Sequence, residues 1–196
     1  MNPMLLIDGY KLDHRRQYPK DTRRVQSNWT PRSSRIDGQN KVVFFGLQYF
    51  LQKYLVDDMQ KYFFDRSVED VCKEYKQLCD SYLGPNDIGT DHIRDLHKLG
   101  YLPLEFRALP EGTLVPIGVP MLTVENTHDD FAWLVNYIET IMSNILWMPC
   151  TSATSAYRLR SMLNDYCNKS GGDPSFVQWQ GHDFSMRGMA GLESAC

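Results

Sequence analysis

The chain has 196 residues, 42% hydrophobic and 23% charged, with a net charge of -3. This lies in the ordinary range for globular proteins and supplies a core for one domain or two small ones. The small negative charge gives no whole-chain reason to expect nucleic acid, so any polyanion site must be local, and the stretch 11–35 is the part rich in Lys and Arg. The cysteines Cys72, Cys79, Cys150, Cys167 and Cys196 form no Cys-x-x-Cys pair and read as reduced core thiols. No basic segment followed by an apolar one opens the chain. The most apolar run, 131–148, is interrupted by Asn136, Glu139 and Asn144, so no membrane span is expected and the cytoplasm is the expected location.

After a short polar start, residues 42–63 place Phe44, Leu47, Leu51, Tyr54 and Leu55 at the spacing of one helix face. Ser67 and Asp70 open a second helix whose Val68, Val71, Cys72, Tyr75, Leu78, Cys79 and Tyr82 recur at three and four residues until Gly84. Thr90 caps a third, with Ile93 and Leu96 inward and Gly100 as its stop. From 102 to 126, alternation broken by Pro110-Glu111-Gly112 and Gly118-Val119-Pro120 describes a small sheet of short strands. Thr127 and Asp130 cap an apolar helix that is expected to end before Pro149. A further helix with Ala156, Leu159, Met162, Leu163, Tyr166 and Cys167 inward follows and closes at Gly171-Gly172. Residues 176–184 read as a strand leading to the polar tip His182-Asp183-Phe184-Ser185-Met186-Arg187-Gly188.

Three segments could carry chemistry. The first, residues 8–19, mixes charges of both signs with two tyrosines and is either a solvated arm or a site. The second, Trp29-Thr30-Pro31-Arg32-Ser33-Ser34-Arg35, joins two guanidinium groups to three hydroxyls, the inventory for holding phosphate oxygens, and is equally an ordinary polar loop. The third is the tip, where an aromatic, an acid, a His and an Arg arrive together at a strand end. Its alternative is a sheet edge with Phe184 buried and Arg187 paired to Asp183. His92 and His97 lie five apart and so do not share a helix face as a metal pair would. Phosphate-loop, dinucleotide-binding and nucleophile-elbow signatures are absent.

Asp8-Gly9-Tyr10-Lys11, His14, Gln17-Tyr18-Pro19, Phe45-Gly46-Leu47-Gln48-Tyr49, Leu109-Pro110-Glu111-Gly112, Val124-Glu125-Asn126-Thr127 and the tip follow one another in an order that resembles the start of nicotinamide phosphoribosyltransferases. The resemblance implies an α/β fold. An N-terminal α/β sandwich domain over 1–148 would be followed over 149–196 by the opening of an irregular, truncated phosphoribosyltransferase barrel. It also implies phosphoribosyl transfer from phosphoribosyl pyrophosphate to nicotinamide, giving nicotinamide mononucleotide and pyrophosphate in NAD salvage, with Mg²⁺ and with ATP as an optional coupling. The family assembles as a head-to-tail homodimer. On that pattern Phe184 would stack on one face of the pyridine ring and Tyr10 of a second copy on the other. Arg187 would lie near the ring and the pyrophosphate, Arg32 would reach phosphate oxygens, and Asp8 would order the arm that carries Tyr10.

The family's H-D-F-G-x-R-G has Ser185 at its small Gly, which would strain the loop if that backbone needs φ > 0. The catalytic groups are expected beyond Cys196, so the 196-residue chain by itself is expected to be inactive and prone to aggregate or dimerise. Two other readings stay open. One is a nicotinate phosphoribosyltransferase. The other is a non-catalytic nucleotide- or nucleic-acid-binding module built on Arg32, Arg35 and the basic arm.

Overall fold

In the computed structural model, which describes residues 1–195, the strands are β1 (Gln26–Trp29), β2 (Lys41–Val43), β3 (Leu104–Ala108), β4 (Leu114–Pro116) and β5 (Leu122–Asn126). β5 is central in an antiparallel sheet between β1 and β3, with Val124 opposite both Ser27 and Phe106. Leu122, Val124 and Asn126 are buried and the residues between them half-buried, the period of a strand with one face in a core. β2 and β4 form a second, two-stranded sheet. β3, β4 and β5 lie in the region expected to be strands, whereas β1 and β2 were not anticipated.

The helix expected over 42–63 starts later. Val42 and Val43 extend β2, and Gly46, at φ 99°, turns the chain into α1 (Leu47–Phe50). The helix then continues with wider, π-type winding over Leu51–Asp58 and Gln60–Phe64. That winding moves the buried face to Leu47, Phe50, Tyr54, Met59 and Phe63, leaving Leu51 and Leu55 only half-buried. α2 (Val68–Leu83) follows the expected pattern except at its last turn, where Tyr82 is exposed. Ser67 Oγ accepts from the Asp70 N–H at 3.1 Å, and Val71, Cys72, Tyr75 and Cys79 are buried. α3 (Asp91–Leu99) buries Ile93 and Leu96 and stops at Gly100, φ 80°.

His128, not Thr127, caps the next turn, its side chain accepting from the Asp130 N–H. After α4 (Leu134–Tyr137), α5 runs without interruption over Glu139–Ser170, so the stop expected before Pro149 does not occur. The expected 148/149 division falls inside it. The Pro149 ring instead packs on Gly46. Beside it, Thr154 Oγ1 accepts from the Val43 N–H at 2.9 Å, and the Cys150 thiol donates to Phe45 O at 3.3 Å, stitching β2 to α5. Burial pushes the Cys150 thiol up to about 11. The far half of α5 leaves the core: Ala156, Leu159, Met162 and Tyr166, expected inward, are exposed, and Leu163 and Cys167 half-buried, because the segment from Gly172 to Gly181, which packs beside α5, leaves most of that face uncovered.

Gly171 ends α5 in the left-handed region as expected. The strand expected over 176–184 is replaced by a 3₁₀ helix, Pro174–Trp179, which packs Val177 along α5 and offers no strand pairing. Cys72, Cys79 and Cys150 are buried free thiols and Cys167 is a half-buried one, while Cys196 lies outside the described residues. Among the described residues no helix is long and apolar enough to cross a membrane.

Candidate functional site

The arm is a 3₁₀ helix, Gly9–Gln17, held to the start of α5. Asp8 accepts from Thr140 Oγ1 at 2.7 Å through its carboxylate and donates to the same oxygen through its backbone N–H at 3.2 Å. Lys11 is 4% exposed, and its Nζ donates to Glu139 Oε2 at 2.9 Å. Leu12 is buried in the core, and Gly9 sits so close to the Tyr82 ring that a Cβ would overlap it. These anchors leave Tyr10 outside, 60% exposed, with an edge-to-face contact to His14 at 5.1 Å. Glu139 and Thr140 were missed as arm-holding residues. The available signal was Glu139, the single charge inside the apolar run 131–148.

Beneath the arm lies a small cavity lined in part by Lys11, Arg15 and His92. His92 is buried between the edges of Tyr75 and Trp133, and its Nε2 meets Tyr75 Oη at 3.2 Å while Nδ1 has no hydrogen-bond partner. Burial, with the Arg15 charge adding to it, lowers the His92 pKa to about 3, so the ring is neutral.

At the other end of the chain the tip is a 3₁₀ turn, Ser185–Arg187. Asp183 Oδ1 accepts from the Ser185 N–H at 2.7 Å and from its hydroxyl at 2.6 Å, and these bonds hold the Asp183 carboxyl below its ordinary value. No described residue other than glycine has a positive φ, so Ser185 adopts this turn without the strain its replacement of Gly would have caused. Phe184 is 63% exposed and the Arg187 guanidinium lies 5.2 Å from its ring centroid. Phe184 is therefore not buried at a sheet edge, and Arg187 is paired with an aromatic face, not with Asp183.

Arg32 and Arg35 stand exposed on the loop after β1, without an ion pair among the described residues. The loop is fixed beside them, where the Gly118 N–H donates to Pro31 O at 2.8 Å. The structure thus brings Asp8 to Tyr10 and Phe184 to Arg187, and leaves Arg32 on a third surface. The aromatic partners of Tyr10 and Phe184 are His14 and His182, so the two rings do not meet within one chain. Among the described residues no cluster of three or more His, Cys, Asp or Glu could hold a metal ion.

The fold matches part of the fold of a solved phosphoribosyltransferase. The crystal structure of human nicotinic acid phosphoribosyltransferase resembles it with a TM-score of 0.54, over 80% of this chain and 28% of that one, at 22% identity, a likeness of fold alone. The family model described as nicotinamide phosphoribosyltransferase, N-terminal domain, matches residues 2–106, and the chain belongs to the nicotinamide phosphoribosyltransferase family. A nicotinamide phosphoribosyltransferase of Acinetobacter baylyi is 48% identical over all of this chain and 40% of its own length. One from Mycoplasma genitalium is 33% identical over 98% of this chain and 45% of its own length. The chain therefore spans less than half the length of these curated relatives.

Proposed function

We propose that this chain forms part of an enzyme that transfers the phosphoribosyl group of phosphoribosyl pyrophosphate to nicotinamide, releasing nicotinamide mononucleotide and pyrophosphate, in cytoplasmic NAD salvage. The observation that carries the proposal is the pair of exposed aromatic rings, Tyr10 on the anchored arm and Phe184 on the tip turn, that do not meet within one chain. A homodimer in which one copy's Tyr10 faces the other's Phe184 makes a slot for a flat pyridine ring. Each stacked pair adds about 0.5–1.5 kcal/mol beyond area burial and aligns the ring nitrogen with the ribose. The exposed apolar face of α5 is surface available for such pairing.

In the transfer, the bond from ribose C1′ to a pyrophosphate oxygen breaks as the bond to the ring nitrogen forms. Negative charge grows on the leaving pyrophosphate, and Arg187 and Arg32 are cations suited to hold it. The described residues offer no metal cage of their own. Mg²⁺ is assigned to the phosphates of the substrate, which commonly carry it with one or two carboxylates. Optional ATP coupling belongs to the same proposal for the whole protein.

The test is a fusion of this chain to the C-terminal remainder of the Acinetobacter baylyi relative. The fusion is expected to form nicotinamide mononucleotide, to prefer nicotinamide over nicotinate, and to lose about tenfold or more in kcat/KM on Phe184→Ala. A folded fusion without product, or one that uses nicotinate better, contradicts the proposal.

A further inference from the structure

Between Val177, buried against α5, and Glu193, nearly every residue is exposed, and this exposed stretch carries Phe184 and Arg187. Such a segment takes its position from its two ends. The first end is apolar: Val177 is buried against α5, and Gly181 faces Leu159, whose Cδ2 would lie 3.3 Å from a Cβ at that position. The second is polar. Glu193, in the short helix α6 (Leu192–Ala195), sets one carboxylate oxygen against two tyrosyl hydroxyls, accepting from Tyr49 Oη at 2.9 Å and from Tyr54 Oη.

Those hydroxyls are well placed to act as a fixed seat. Tyr49 and Tyr54 stand on the helix that begins at α1, with their rings edge to face at 6.2 Å. Tyr54 is buried and packs on Phe50, which is fully buried in the core. Burial, reinforced by the bond to Glu193, raises the Tyr54 hydroxyl well above its ordinary range, so it remains a donor. A carboxylate held by two aromatic hydroxyls, each with few rotamers to lose, fixes both direction and distance better than one bond from a long flexible side chain.

We propose that Glu193 is a positioning residue: its clamp on Tyr49 and Tyr54 sets the place of the tip, and so of the Phe184 ring, relative to the core. The proposal rests on the reading of Phe184 as a ring-stacking residue, and it gives the α1 helix a share in nicotinamide binding that neither tyrosine has by touching the ligand. Glu193→Ala removes the acceptor. Glu193→Gln keeps a carbonyl oxygen that both hydroxyls can bond. The Tyr49→Phe/Tyr54→Phe double variant removes the donors and keeps both rings packed.

Two readouts separate the clamp from the functional reading. In the 196-residue chain, hydrogen exchange of the Arg187, Gly188 and Met189 amides, which are bonded within the tip turn, should rise about tenfold in Glu193→Ala and in the double Phe variant, while α2 amides are unchanged. Unchanged tip exchange overturns the proposal. In the fusion with the Acinetobacter baylyi remainder, Glu193→Ala should raise the KM for nicotinamide about tenfold, with kcat within about threefold. Glu193→Gln should restore most of the loss, and adding the double Phe change to Glu193→Ala should cost nothing further. An unchanged KM, or losses that add, overturns it equally. If the unsubstituted fusion makes no product, the functional reading fails by itself and the exchange measurement still decides the clamp.

Discussion

Replacing Gly46 by alanine tests the junction between β2, α1 and α5 on two counts at once. Gly46 holds φ 99°, where an L side chain costs about 1–2 kcal/mol. A Cβ there would lie 2.8 Å from Pro149 Cβ and 3.0 Å from its Cγ. The proline ring is part of the α5 backbone and cannot swing aside, so about 1–3 kcal/mol of overpacking adds to the backbone cost. The sum is about 2–5 kcal/mol, which for a chain of this length lowers Tm by roughly 5–15 °C. Gly38→Ala is the control: φ is 75° and nothing lies within 4 Å, so the backbone cost stands alone. Urea unfolding of both variants, with m-values compared, gives the difference directly. Equal losses for Gly46→Ala and Gly38→Ala would refute the close approach of Pro149, and no loss in either would refute the left-handed turns.

Thr154→Val keeps the shape of the side chain and takes the acceptor from the buried Val43 N–H, so it should cost about 1–3 kcal/mol in the same assay, with Ser155→Val on the exposed side as a near-neutral comparison. The neutral His92 makes stability depend on pH with a definite sign. Its folded pKa of about 3 lies below the ordinary 6.5, so below pH 6.5 the unfolded chain binds the extra proton and stability falls as pH drops towards 3. At pH 5 the loss relative to pH 7.5 is about 2 kcal/mol from this group, and His92→Gln should remove that part of the slope in urea titrations at a series of pH values.

Segments whose structure is set by local rules were legible in the sequence. The Ser67 cap, the three- and four-residue recurrence of α2 and the Gly100 stop of α3 need only neighbouring residues, as do the turns that divide β3, β4 and β5. What was not legible depends on distant partners. Val42 and Val43 suit a helix face or a strand, and pairing with β4 decides for the strand. Pro149 reads as a helix stop, yet α5 passes through it, anchored by the ring's seat on Gly46 and just beyond it by Cys150 and Thr154. The apolar residues of the far half of α5 have the spacing of a buried face and remain exposed, because spacing marks a face without saying what covers it.

The candidate residues came from motifs, and their geometry could not be read from the sequence. Tyr10, Phe184 and Arg187 could be named from their motifs, whereas the Asp8–Thr140 and Lys11–Glu139 ties that hold the arm join residues more than a hundred positions apart. The tip was expected at the end of a strand and is instead a turn braced by Asp183 and Ser185.

The central claim, a pyridine slot built from Tyr10 of one copy and Phe184 of the other, is tested most directly by complementation. Tyr10→Ala and Phe184→Ala fusions, each expected to be reduced about tenfold or more, are unfolded, mixed in equal amounts and refolded together, and nicotinamide mononucleotide formation is measured. Half of the dimers then carry both variants, and each of those has one intact slot, so about one quarter of the unsubstituted activity should return. Activity no higher than that of the two variants alone would contradict a slot shared between copies.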